Sequence, residues 1–145
     1  LCFLTVIFAL LLLPVSCGSP PDTARVIRVI DGDTITIAGG QRVRYIGIDT
    51  PEIYPAVEAF GIEALQTNRE LVEGKQVRLE KDVSETDKYG RLLRYVWVDG
   101  TLVNAELVKQ GLARAKAYPP DTKYQDLLEQ LEAEAKEAGR GMWAR

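Results

Sequence analysis

Thr34-Ile35-Thr36-Ile37-Ala38-Gly39-Gly40-Gln41-Arg42-Val43-Arg44-Tyr45-Ile46-Gly47-Ile48 is the stretch that decides the fold. Its first four residues alternate hydroxyl and branched apolar side chains, the pattern of a half-buried strand. Gly39-Gly40 then supplies a turn, and residues 41–48 predict a further strand, with Val43 and Tyr45 alternating against Arg42 and Arg44. On the N-terminal side, the β-branched run 24–30 predicts the hairpin partner of 34–37. On the C-terminal side, Pro51 and Pro55 stop the strand and open a loop. Residues 56–72 read as a helix ended by Gly74. Residues 75–81 and 92–98 read as the fourth and fifth strands, the latter closed by Asp99-Gly100. A short helix over 102–110 ends at Gly111. Tyr124, Leu127, Leu128, Leu131 and Ala135 have the spacing of an amphipathic helix. Gly139 and Gly141 end it, and Trp143 is expected to dock as a terminal anchor.

Five short strands with one helix between the third and fourth make the order of an OB-type fold. The expected class is therefore α+β: a five-stranded β-barrel with three α-helices. The 145 residues fit one domain, placed at 24–145. With 46% hydrophobic and 27% charged residues the chain reads as globular. A net charge of −3 argues against holding nucleic acid by bulk electrostatics, though a bound metal would make a local site cationic. The chain contains no histidine, which removes imidazole bases and His-based metal sites. Acid–base chemistry falls to Asp, Glu, Lys, Tyr or a metal-activated water.

Residues 1–15 are almost wholly apolar, too short for a membrane span but matching the core of a secretory signal. No Met or basic stretch precedes them, so the sequence is expected to begin inside the signal. Leu13-Pro14-Val15-Ser16-Cys17-Gly18 resembles a bacterial lipoprotein processing box, with Pro14 where Leu is usual. Residues 1–17 are read as the signal, Cys17 as the lipidation or processing site, and 18–23 as a tether. The expected location is outside a bacterial cell, anchored by lipid or otherwise secreted. No cysteine follows Cys17, so the domain is free of disulfides.

Four clusters remain: Asp31-Gly32-Asp33-Thr34, Arg44, Asp49-Thr50-Pro51-Glu52, and Asp87-Lys88-Tyr89-Gly90-Arg91. Each has a bland reading. Asp-Gly is hairpin chemistry, although turn formation has no use for the second acid, Asp33. Asp before Thr-Pro is common in turns. The 87–91 segment could be a charged loop. Arg44 shares strand parity with Ile46 and Ile48, so a guanidinium there needs a carboxylate or a ligand. Together, carboxylates for a hard cation, a base and two guanidiniums are what metal-assisted phosphodiester hydrolysis requires.

In this order the clusters resemble the staphylococcal nuclease (thermonuclease) family. The matching residues are Val29-Ile30-Asp31-Gly32-Asp33-Thr34, Arg44-Tyr45-Ile46-Gly47-Ile48-Asp49-Thr50-Pro51-Glu52 and Asp87-Lys88-Tyr89-Gly90-Arg91. Val103-Asn104, residues 107–113 and Trp143 also fit. The resemblance implies calcium-dependent cleavage of DNA and RNA, leaving 3′-phosphorylated products. It implies Asp33, Asp49 and the Thr50 backbone carbonyl as calcium ligands, and Glu52 as general base. Arg44 and Arg91 become phosphate clamps, Lys88 and Tyr89 contacts to a terminal phosphate, and Tyr118 a residue packing on the nucleotide. Lys116 stands where the family pattern expects a second tyrosine, so one base stack is expected to be lost and partly replaced by a phosphate contact. Substrate is expected to be single-stranded or flexible, the protein a monomer, and a membrane partner to enter only through the lipid anchor. The alternative is a non-catalytic OB module that binds nucleic acid or protein.

Overall fold

A computed structural model describes residues 22–145. The signal, Cys17 and the first part of the tether lie outside the described residues. The chain runs β1 (Thr23–Val29), β2 (Thr34–Ile37), β3 (Arg42–Tyr45), β4 (Ile48–Asp49), α1 (Gly61–Val72), β5 (Gln76–Glu80), β6 (Leu92–Val98), β7 (Thr101–Leu102), α2 (Val103–Lys109), β8 (Arg114–Ala115) and α3 (Gln125–Ala138), with a 3-10 turn at Gly141–Trp143.

Strands β3-β2-β1-β5-β6 pair in that order, and β3 also pairs with β6, which closes a five-stranded barrel. The closing pair is parallel and the other ladders are antiparallel. This is the expected OB-type α+β barrel with three helices. Closure pairs the two outer strands of the barrel, β3 and β6, with each other. Val26, Val29, Ile35, Ile37, Val43 and Tyr45 fill the interior, and Ala64, Leu65 and Val72 of α1 pack onto it.

Two elements depart from the sequence reading, and both departures shape the site. The expected strand over 41–48 is broken at Ile46-Gly47. Gly47 has φ +78°, a backbone conformation that favours glycine, and a Cβ there would lie 2.6 Å from Leu128 Cδ1 and push that side chain aside. The buried Asn104 side chain fixes this corner, donating to Ile46 O at 2.8 Å and accepting from Val96 N at 2.9 Å. After the corner, Ile48-Asp49 leave the barrel and pair with Arg114-Ala115, a strand that sequence reading did not find. Arg44 therefore does not share a strand face with Ile46 and Ile48. It lies between the buried Val43 and Tyr45 and faces outward.

The expected helix start at 56 moves to Gly61. Residues 52–58 instead form a loop closed on itself: Glu52 N donates to Glu58 Oε2 at 2.9 Å, and Glu58 N donates to Glu52 O at 2.8 Å. Gly61 lies against the same carbonyl, where a Cβ would come within 2.6 Å of Glu52 O. The loop thereby displaces the first turn of the helix that propensity alone suggests.

Candidate active site

The Asp31–Asp33 loop separates turn-making from function. Asp31 makes the turn, its Oδ1 accepting from Asp33 N at 3.0 Å. Asn68 on α1 pins the same loop by donating to Asp31 O at 3.0 Å, while its own oxygen accepts from Tyr45 OH. Asp33 is left free of the turn and is buried. Its Oδ2 accepts from the Thr50 amide and hydroxyl, both at 3.0 Å, and its Oδ1 accepts from the Thr34 hydroxyl at 3.1 Å. Burial pushes the Asp33 carboxyl up to about 6, against the pull of Arg44.

Arg44 joins this loop to the 48–50 segment. Its Nη1 donates to Tyr45 O at 2.8 Å and Ile48 O at 3.0 Å. Its Nη2 lies 3.2 Å from Asp33 Oδ2 and 3.1 Å from Asp49 Oδ1. One nitrogen thus brings the two carboxylates to a single point. The second oxygen of Asp49 meets Lys116 Nζ at 3.3 Å. Lys116 also lies 5.4 Å above the Tyr118 ring.

The donor set suits a hard divalent cation. Its donors are all oxygen, and the two carboxylates converge. Asp33 pays for its burial with a raised affinity for a proton, which a cation would replace. Among the described residues no group of three or more Asp, Glu, His or Cys side chains gathers, so the protein would supply few of the charges. Substrate or solvent oxygens would complete the shell.

The opposite wall belongs to loops. A cleft of about 660 Å³ is lined by Arg44, Glu52, Lys88, Tyr89, Arg91, Lys116 and Tyr118 among others. Sequence-predicted residues from four separate segments thus meet in one place. Asp33 does not line the cleft, and Asp49 and Thr50 border a second cavity beside it. Glu52 is exposed. Partial desolvation and the neighbouring Asp33, Asp49 and Glu58 charges raise its pKa, which favours proton uptake. Asp87 shapes the 87–91 turn: its Oδ1 accepts from the Tyr89 and Arg91 amides at 2.9 and 3.0 Å, and its Oδ2 accepts from Arg91 Nε at 2.7 Å. These bonds hold the Asp87 pKa below its ordinary value despite desolvation. The terminal nitrogens of Arg91 meet no protein acceptor among the described residues. Tyr89 is 66% exposed beside the cleft, with Lys88 and Arg91 against its ring.

Sequence reasoning missed the residues that act through others. Asn68, Asn104, Glu58 and Asp87 were given no role of their own, yet each fixes a segment that carries a candidate residue. A polar Asn on an apolar helix face was the available signal for Asn68 and Asn104.

Residues 42–145 match the family model described as staphylococcal nuclease homologue. The chain is 43% identical over 128 residues to a thermonuclease of Staphylococcus hyicus, covering 84% of this chain and 76% of that protein. It is 45% identical over 124 residues to a thermonuclease of Staphylococcus intermedius, covering 81% and 74%. It is also 45% identical over 126 residues to endonuclease YncB of Bacillus subtilis (strain 168), covering 81% of this chain and 60% of that protein.

Proposed function

The chain belongs to the staphylococcal nuclease family, and we propose that it is a calcium-dependent nuclease whose cation is held by Asp33, Asp49 and the Thr50 carbonyl. That it is a nuclease, a hydrolase acting on nucleic acid, follows from the family and the named relatives. The metal, the residue roles and the substrate preference belong to the proposal. One observation carries it: the two acids converge on Arg44 Nη2 at the wall of a cleft that also holds Glu52 and Arg91.

When bound, a divalent cation supplies Lewis-acid stabilisation of charge on the phosphate. The chain's own groups do the rest. Arg44 and Arg91 hold non-bridging phosphate oxygens, Arg91 through nitrogens that have no protein acceptor among the described residues. Both compensate the charge that grows in the transition state. Glu52 takes a proton from the attacking water as the new P–O bond forms and the bond to the leaving oxygen breaks, and that oxygen takes a proton from solvent to leave as an alcohol. Partial desolvation and the Asp33, Asp49 and Glu58 charges raise its pKa, which strengthens it as a base. Lys88 and Tyr89 hold a neighbouring phosphate, and Tyr118 packs on the nucleotide. Lys116 contributes a charge where a stacking ring is expected.

Such a cleft admits a strand whose bases have left the duplex, so we place single-stranded and fraying DNA and RNA first among substrates, with 3′-phosphorylated products. A monomer suffices for this site. The non-catalytic alternative is not favoured, because acids, base and both guanidiniums are all present around one cleft. The test is hydrolysis of single-stranded DNA with calcium and then with excess chelator. Turnover in the first and none in the second is the expected result; full activity in chelator would overturn the metal reading. We further propose that the protein is exported and tethered through Cys17, on the strength of the apolar run before it. Cys17→Ala should then move the protein from the membrane fraction to the medium or block its processing, and an unchanged distribution would refute the tether.

A further inference from the structure

The short ladder of β4 with β8 puts two cations on either side of one acid. Asp49 and Arg114 are direct cross-strand partners, so their side chains leave the same face. Two residues further, Lys116 returns to that face and reaches Asp49 Oδ2 at 3.3 Å, its backbone amide held by Gly47 O at 2.8 Å. Lys116 borders the 660 Å³ cleft. Arg114 borders a separate cavity of about 430 Å³ that is lined by Asp49 and Thr50 and continues past Glu58, Phe60 and Met142. Its volume is within the usual range for a small-ligand site.

Arg114 has no carboxylate partner among the described residues, and its guanidinium rests 4.7 Å above the Trp143 ring. An aromatic platform orients an arginine while leaving its hydrogen-bonding edge free. Two carboxylates also line this cavity: Glu58, whose Oε2 is engaged by Glu52 N, and Asp49, whose two oxygens are engaged by Arg44 and Lys116. Along an extended strand, alternate residues lie roughly 6.6 Å apart, comparable to the step between neighbouring phosphates of an extended nucleic-acid strand. Phe60 and Met142 add apolar surface for a base or sugar.

We propose that Arg114 and the cavity beside it form a second nucleotide subsite, which takes the nucleotide on the far side of the scissile phosphate from the main cleft. Residues 114–116 then act as a two-step cationic rail, Lys116 before Asp49 and Arg114 after it. The inference rests on the nuclease reading, because it assumes that the scissile phosphate lies beside Arg44 and Arg91. It explains how an acidic chain can grip a polyanion locally: the cations are few but spaced along one track.

The test measures affinity in a Glu52→Gln background with calcium, which avoids turnover. The probes are a thymidine 3′,5′-bisphosphate and single-stranded thymidine oligomers of two, three and five nucleotides. In the Arg114-intact protein, affinity should rise with length beyond one nucleotide. Arg114→Ala should weaken the oligomers about tenfold, leave the mononucleotide within about twofold, and lower the salt slope of oligomer binding by about 0.7. Arg114→Lys should recover most of the loss, and circular dichroism melting of each variant should report an intact fold. Equal effects of Arg114→Ala on all lengths, no effect on any, or no gain with length in the Arg114-intact protein would each overturn the subsite. Failure of the mononucleotide itself to bind would instead count against the nuclease site, which separates the two readings.

Discussion

Arg44 and Arg91 face the same cleft from opposite kinds of wall. Arg44 stands on β3 with its side chain 11% exposed, and its two terminal nitrogens meet two carbonyls and two carboxylates. Arg91 stands on a loop at 24% exposure and commits only Nε, to Asp87. The strand-borne wall is a closed network in which both terminal nitrogens of Arg44 and both carboxylates have partners. The loop-borne wall keeps its donors free and is organised by single acids, Asp87 under Arg91 and Glu58 behind Glu52. Under the proposed function this difference divides the labour: the barrel wall would hold the cation ligands in a narrow geometry, and the loop wall would offer charge and aromatic surface to a substrate that varies.

The largest effect should come from Glu52→Gln. It keeps the size of the side chain and removes the carboxylate proposed as base, in a chain without histidine. Turnover of single-stranded DNA should fall at least about a hundredfold, with calcium and nucleotide affinity within about threefold. Hydrolysis within threefold of the parent would break the assignment of chemistry to the loop wall.

Arg44→Lys and Arg91→Lys should both lower turnover on the order of a hundredfold, since lysine loses the planar fork that meets two phosphate oxygens. Their stabilities should separate the walls. Arg44→Lys leaves Asp33 and Asp49 poorly paired and should cost roughly 3 kcal/mol in chemical denaturation. Arg91→Lys disturbs one partly exposed pair and should cost under about 1 kcal/mol. Equal stability losses would erase the contrast.

Lys116→Tyr should have the smallest effect. Restoring a base stack is worth roughly 1–3 kcal/mol, offset by the lost charge, so nucleotide affinity with calcium should rise only a few-fold. Unchanged or weaker binding would show that the ring cannot reach the base from this position.

The barrel was legible because each of its five strands carries a local signal. Thr34–Ile37 and Leu92–Val98 fall where alternation and turn residues put them. The breaks were not legible, because they depend on partners distant in sequence. Gly47 reads as a strand residue until Leu128 and Asn104 are seen to close on it. β8 carries two residues and exists only because β4 lies beside it. The start of α1 is set by Glu58 folding back to Glu52, a contact that no helical periodicity encodes. The residues proposed to touch the substrate or cation stood out as surplus charge. Those that position them, Asn68 and Asp87, look like ordinary polar residues until their hydrogen bonds are traced.

The central claim is that Asp33 and Asp49 form the cation site, and calcium titration by calorimetry across pH 7 to 5 tests it most directly. Burial gives folded Asp33 a pKa of about 6, above the ordinary 3.8. The folded protein therefore holds that proton more tightly than the unfolded chain does. Asp33's stabilising contribution is complete below the ordinary value and is lost as pH rises through about 6. Calcium must displace the same proton, so affinity should weaken about tenfold per pH unit below about 6, and Asp33→Asn should abolish binding. Affinity independent of pH over that range, or calcium binding retained by Asp33→Asn, would contradict the account.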